Sequence, residues 1–157
     1  MHPANPEWSL WFEVLMGAVL LVASTSLHGF GMYLVHERFD RLWPRFERKR
    51  IRRQIFFSGI VLFILFTHLV EVLLWGITLS VVGAIPLLRD AYYYAAVTYT
   101  TLGYRSEMLP PDWRILAPMI AMSGFFAFGW TTGVLVNLVR RTHERDTAPH
   151  ARPRSPP

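Results

Sequence analysis

The chain has 157 residues, 52% of them apolar and 17% charged, with a formal net charge of +5 and no cysteine. That composition is not that of a soluble domain, and the lack of cysteine excludes a disulfide framework and a thiolate metal site. Because the charges sit in blocks between long apolar runs, the positive excess reads as a topology signal of a membrane protein, and no nucleic-acid partner is expected.

The first ten residues hold Glu7 and no Lys or Arg, unlike the positive start of a signal peptide, so the first apolar run is expected to stay in the mature protein. Residues 10–35 are apolar apart from Glu13, Ser24, Thr25, Ser26 and His28. They exceed the ~20 helical residues that cross a bilayer core, so residues 1–36 read as an N-terminal transmembrane helix, with Trp8 and Trp11 near the interface.

Residues 37–53 change character, carrying eight basic side chains (Arg38, Arg41, Arg45, Arg48, Lys49, Arg50, Arg52, Arg53) against Glu37, Asp40 and Glu47. Such a loop between two spans marks the cytoplasmic side, which puts the N-terminus outside. Phe39, Leu42, Trp43 and Phe46 recur at helical spacing, so this linker reads as an interfacial amphipathic helix with its apolar side on the bilayer, and its basic side favours anionic lipids.

The second span, residues 55–82, carries His68 and Glu71 three residues apart. Intramembrane ionisable groups are costly and find partners, so this face is expected to turn toward protein, as a hydrogen-bonded pair bracing the polar loop further along the chain or as a proton-sensitive element. Two ligands without a third do not make a metal site, and none is expected. Residues 84–90 leave the membrane, with Asp90 a candidate cap for the next helix. Residues 91–100 are too short to span and read as a re-entrant helix whose C-terminal end, partly negative, points inward.

The polar run Thr98-Tyr99-Thr100-Thr101-Leu102-Gly103-Tyr104 comes next, between two apolar segments. Unsatisfied backbone groups are expensive in hydrocarbon, so this stretch must face water, an ion or protein. Backbone carbonyls in rings replace the hydration shell of a potassium ion, and one copy cannot enclose an ion, so a carbonyl-lined pore here requires a symmetric oligomer. Pro110, Pro111, Asp112 and Trp113 form a rigid turn, and residues 115–139 a third span with Pro118 in its first turn and a small-residue spacing at Gly129 and Gly133. Arg140, Arg141 and Arg145 put the C-terminus inside, and residues 142–157 read as a disordered tail rich in proline.

The run from Val97 to Tyr104 resembles the potassium-channel signature Thr-x-x-Thr-x-Gly-Tyr-Gly, and the glycine-bearing helix after it resembles the inner helix of such channels. His68-Leu69-Val70-Glu71 and Leu109-Pro110-Pro111-Asp112-Trp113-Arg114 are similar to segments of small bacterial ion-channel-family proteins. The resemblance implies an all-α membrane protein with three transmembrane helices, a re-entrant pore helix and a selectivity-filter loop, the pore domain covering residues 54–141. It implies a homotetramer that passes potassium ions through a filter of Thr100, Thr101, Leu102, Gly103 and Tyr104, in the plasma (inner) membrane. Arg105, Ser106 and Glu107 fall at the outer mouth, and Gly124, Thr131, Thr132 and Asn137 fall at the inner-helix hinge or pore lining. The chain departs from the signature at Arg105 and Ser106, where a second glycine and usually an aspartate stand, and at Val97, where many channels carry a glutamate. The alternative is a channel-like protein that is non-selective or non-conducting and serves as a scaffold or regulatory subunit. A membrane enzyme built on His28, His68 and Glu71 lacks a nucleophile motif and is not expected.

Overall fold

The computed structural model describes residues 6–46, 50–103 and 109–147, with side chains described for residues 10–43, 51–103 and 109–144. Among the described residues there are four α-helices, α1 (Pro6–Phe46), α2 (Arg50–Val81), α3 (Leu88–Tyr99) and α4 (Leu116–Thr147), with a 3₁₀ turn at Pro111–Trp113. No strand occurs among the described residues. The segments Leu10–Trp43, Ile51–Val81 and Pro111–Glu144 are long and apolar enough to cross a membrane. Helix α3, at 12 residues, rises only about 18 Å and cannot.

Each long helix buries one stripe. On α1 the buried positions include Glu13, Gly17, Ser24, His28, Gly31, Met32, Val35, Phe39 and Trp43, most of them separated by three-, four- and seven-residue steps that keep them on one face. The opposite face, with Leu15, Val19, Val22, Phe30 and Tyr33 exposed, suits lipid. Helices α1 and α3 each pack between α2 and α4, which touch one another little. Two apolar clusters result. One surrounds α3 and includes Val72, Trp75, Tyr94, Tyr99, Leu116 and Ile120. The other, at the far end, joins Met32, Phe39, Trp43, Ile60, Val134 and Leu138.

The second cluster corrects the reading of residues 37–53. Helix α1 runs unbroken for 41 residues, about 60 Å, so its end projects well beyond a ~30 Å hydrocarbon core. Phe39 and Trp43 are almost fully buried, stacked at 5.1 Å and set against Phe56. Their apolar side meets protein rather than the bilayer, because continuity with α1 puts them on the same stripe as His28. The side chain of Phe46 lies outside the described residues, as does that of Trp8.

Two helix ends also differ from expectation. Asp90 is not the cap of α3: the N-cap is Leu87, whose side chain makes no capping bond, and Asp90 sits in the first turn, where a carboxylate favours the positive end of the helix dipole. Helix α4 continues through Thr147, aided by Arg140 donating to Glu144 at 2.7 Å one turn on, so residues 142–147 are helical and not tail. Residues 148–157 lie outside the described residues. Helix α2 ends as glycine allows, with Gly83 at φ +74° turning the chain toward α3.

Candidate functional site: a buried polar ring beside the Thr-Thr-Leu-Gly loop

At its C-terminal end α3 unwinds in one tight turn. The amide of Thr101 donates to the carbonyl of Thr98 at 2.9 Å and that of Leu102 to the carbonyl of Val97 at 3.0 Å, so the loop leaves the helix axis directly after Tyr99. Thr100 folds its hydroxyl back onto the carbonyls of Ala96 and Val97. Thr101 and Gly103 both lie at positive φ, 61° and 64°, with Leu102 between them outside that region, so the loop is not an ordinary strand. For threonine this region is strained, at a cost of order 1 kcal/mol or more. Residues 100–103 are exposed in the single chain, Leu102 at 74%. Tyr104, Arg105, Ser106 and Glu107 lie outside the described residues.

Behind this loop the polar side chains of all four helices close on one another. The hydroxyl of Tyr99 donates to Oε2 of Glu71 at 2.6 Å. Oε1 of Glu71 lies 2.8 Å from Nδ1 of His28. Nε2 of His28 lies 3.3 Å from the hydroxyl of Thr131, which is 3.1 Å from Nε2 of His68. Nδ1 of His68 returns to the hydroxyl of Tyr99 at 2.8 Å. The five contacts form a closed ring with members from α1, α2, α3 and α4, every one of them buried. Phe128 covers it, stacking on His68 with centroids 4.8 Å apart and meeting Tyr99 edge-on. Trp130 flanks His28.

His68 and Glu71 are both buried against protein, and instead of the direct hydrogen bond expected between them, Tyr99 bridges the two. Neither Tyr99 nor His28 stands out as their partner in the sequence. Thr131 is corrected: it is not pore-lining, because it sits on the buried stripe of α4 with Ser123 and Ala127 and bonds to both imidazoles. Thr132 and Asn137 are exposed on other faces of α4, Thr132 returning its hydroxyl to the carbonyl of Phe128. Gly129 and Gly133 have open space around their α-carbons within the chain. Gly124 does different work from a bend: α4 is unbroken there, and a β-carbon on Gly124 would collide with the carbonyl of Tyr99. The residue is glycine so that the end of α3 can lie directly on α4.

Two further contacts tie α1 to the rest. The buried carboxylate of Glu13 accepts from the amides of Ile115 and Leu116, the otherwise unpaired donors at the start of α4. The hydroxyls of Ser24 and Ser123 are 2.9 Å apart, and Trp75 donates its ring N–H to Ser123. His28, His68 and Glu71 converge to within 4.8 Å, as ligands of a metal would. The contacts linking Glu71 to His28 and Tyr99 are 2.8 and 2.6 Å, hydrogen-bond distances.

Residues 67–141 match a family model described as "Ion channel". That span runs from the middle of α2 through α3, the loop and most of α4, and leaves α1 outside. No curated protein and no solved structure matches the chain.

Proposed function

We propose that the chain, whose residues 67–141 match a family model described as "Ion channel" and which has three helices long and apolar enough to cross a membrane, forms a homotetrameric, potassium-conducting pore. The observation that carries this is the junction of α3 with its loop. A helix too short to span ends in Thr100, Thr101, Leu102 and Gly103, exposed in the single chain and alternating in backbone hand, beside an unbroken helix long enough to cross. A backbone alternating in this way can direct successive carbonyls to one side, which is what an ion stripped of water requires. Four copies about an axis would bring them into rings, with Tyr104 continuing the series, Arg105, Ser106 and Glu107 at the mouth, and potassium ions as the only bound species.

The outward faces of α4 support the assembly. Phe125, Phe126 and Val136 are exposed, and the open small-residue spacing of Gly129 and Gly133 suits close approach of a neighbouring helix. Thr132 and Asn137 are available to the inner pore. The basic segment 37–53 and Arg140, Arg141 and Arg145 orient the chain with its C-terminus in the cytoplasm and its N-terminus outside, in the plasma (inner) membrane. A groove of about 360 Å³ between α1 and α2, apolar except for Arg38 at its rim, suits an acyl chain of an anionic lipid.

A second reading is favoured by one observation, Arg105 in place of the signature's second glycine: a channel-shaped subunit that is unselective or does not conduct. Potassium and sodium flux in vesicles reconstituted with purified tetramer separates the two. Selective potassium flux supports the first reading. Absent flux from wild type that appears in Arg105→Gly supports the second, and absent flux from both overturns the channel.

A further inference from the structure

The polar ring needs more hydrogens than its members carry in their ordinary states. Each of the five contacts takes one hydrogen. The hydroxyl hydrogen of Tyr99 goes to Oε2 of Glu71, so the tyrosine oxygen accepts from Nδ1–H of His68. With Glu71 ionised, Nδ1–H of His28 donates to Oε1. Two neutral imidazoles then present bare Nε2 lone pairs to Thr131 at 3.1 and 3.3 Å, and one hydroxyl hydrogen cannot serve both. One contact is left acceptor against acceptor, and the cluster bears a net charge of −1 where charge is most expensive.

A single proton removes both faults. On Nε2 of His28 it completes the contact to Thr131. On Glu71 it donates to Nδ1 of His28, whose hydrogen then sits on Nε2 and again reaches Thr131. Either way all five contacts are bonds and the net charge is zero. A second proton would make the buried cluster positive. The titratable groups facing one another here are His28 from α1, His68 and Glu71 from α2 and Tyr99 from α3. Helix α4 presents Thr131, Ser123, Phe128 and Trp130, and residues 116–139 contain no charged side chain.

We propose that this ring is a one-proton binding site, and that its occupancy sets whether α4 stays bonded to both α1 and α2 behind the loop. Losing the proton leaves Thr131 bonded to one imidazole only, about two turns along α4 from the point where Gly124 receives the carbonyl of Tyr99. Regulation of ion flux by this proton rests on the channel reading; the proton site does not.

Proton counting sets the sign of the effect. With Glu71 ionised and both imidazoles neutral, as in an unfolded chain above about pH 7, these groups carry one proton fewer than the fully bonded ring, so the complete ring binds more protons than the unfolded state. Stability therefore falls as pH rises, until the ring releases the extra proton. Glu71→Gln provides the discriminating variant. Its amide oxygen accepts from Tyr99 and its amide N–H donates to Nδ1 of His28, so the missing hydrogen is supplied covalently and all groups stay neutral.

The experiment tracks thermal unfolding of the detergent-solubilised protein from pH 7 to 9.5, with ¹⁵N spectra of the histidine rings and ion flux over the same range. Expected is a wild-type Tm that declines with pH while Glu71→Gln is flat and the more stable of the two at pH 9.5. The spectra should show His28 in wild type either losing its Nε2 proton or, where Glu71 held the proton, moving its hydrogen from Nε2 to Nδ1, and neither change in the variant. Parallel Tm curves overturn the site. Should Glu71→Gln fail to fold, wild-type spectra decide: both rings neutral with Glu71 ionised at pH 7 contradicts it. Flux that does not vary with pH while Tm does overturns the coupling to the pore, and no flux at any pH counts against the channel reading alone.

Discussion

Tyr99, the last residue of α3, gives its hydroxyl hydrogen to Glu71 of α2 at 2.6 Å, and the next residue begins the Thr-Thr-Leu-Gly loop. The position of that loop is therefore referred to the middle of the bundle and not only to its own backbone. Tyr99→Phe removes the hydroxyl but keeps the ring against Phe128. Glu71 and His68 each lose a partner in a dry site, at a cost of about 2–3 kcal/mol. The expected outcome is a clear fall in Tm together with altered ion selectivity. A Tm change too small to measure would show that the hydroxyl is idle.

Gly124→Ala adds one methyl group where the carbonyl of Tyr99 already sits. Backbone cannot swing aside as a flexible side chain does, so α3 and α4 must separate, at about 1–3 kcal/mol. Gly129→Ala, on the open side of the same helix, is the control within the chain. Thermal unfolding of the monomer in detergent should rank Gly124→Ala well below Gly129→Ala.

Glu13 caps a helix from about a hundred residues away in the chain. Replacing it with alanine leaves the amides of Ile115 and Leu116 without an acceptor in a buried place, at about 1–2 kcal/mol. Glu13→Gln retains an oxygen acceptor and should lose less. Hydrogen exchange at those two amides reads the effect locally, fast in the alanine variant and slow in wild type.

On the surface, Arg141 meets Asp40 at 3.1 Å with both side chains substantially exposed. Asp40→Asn is expected to shift stability by no more than about 0.5 kcal/mol. Chemical denaturation that found several times this would mean the pair is shielded in the assembled protein.

The three spans, the short re-entrant helix and the loop were legible because each has a length or a composition that the bilayer constrains directly. His68 and Glu71 were legible for the same reason, as costly groups needing partners. Which partners they take was not. His28 carries an equal signal, a lone imidazole in an apolar run, but only the packing of α1 against α2 and α4 brings it to Glu71, and no local pattern encodes that. Tyr99 lies inside the Thr98–Tyr104 run, where nothing local marks its hydroxyl as the partner of Glu71. Thr131 was assigned to the pore because one face of α4 had to be chosen, and the buried stripe through Ser123, Ala127 and Leu138 chooses the other. The amphipathic run at Phe39 and Trp43 has an apolar side that suits lipid and protein equally, and only the length of α1 decides between them.

The claim on which the functional account rests is that the loop from Thr100 to Tyr104 binds potassium ions, whatever the gate is doing. An ion held only by the folded assembly stabilises it in proportion to the logarithm of its concentration above the dissociation constant. Thermal unfolding of the reconstituted oligomer, with potassium exchanged for sodium at constant ionic strength, measures this without requiring conduction. The predicted result is a Tm that rises with potassium in wild type and a lost or weakened rise in Thr101→Ala. Unfolding curves that are the same in potassium and sodium would contradict it.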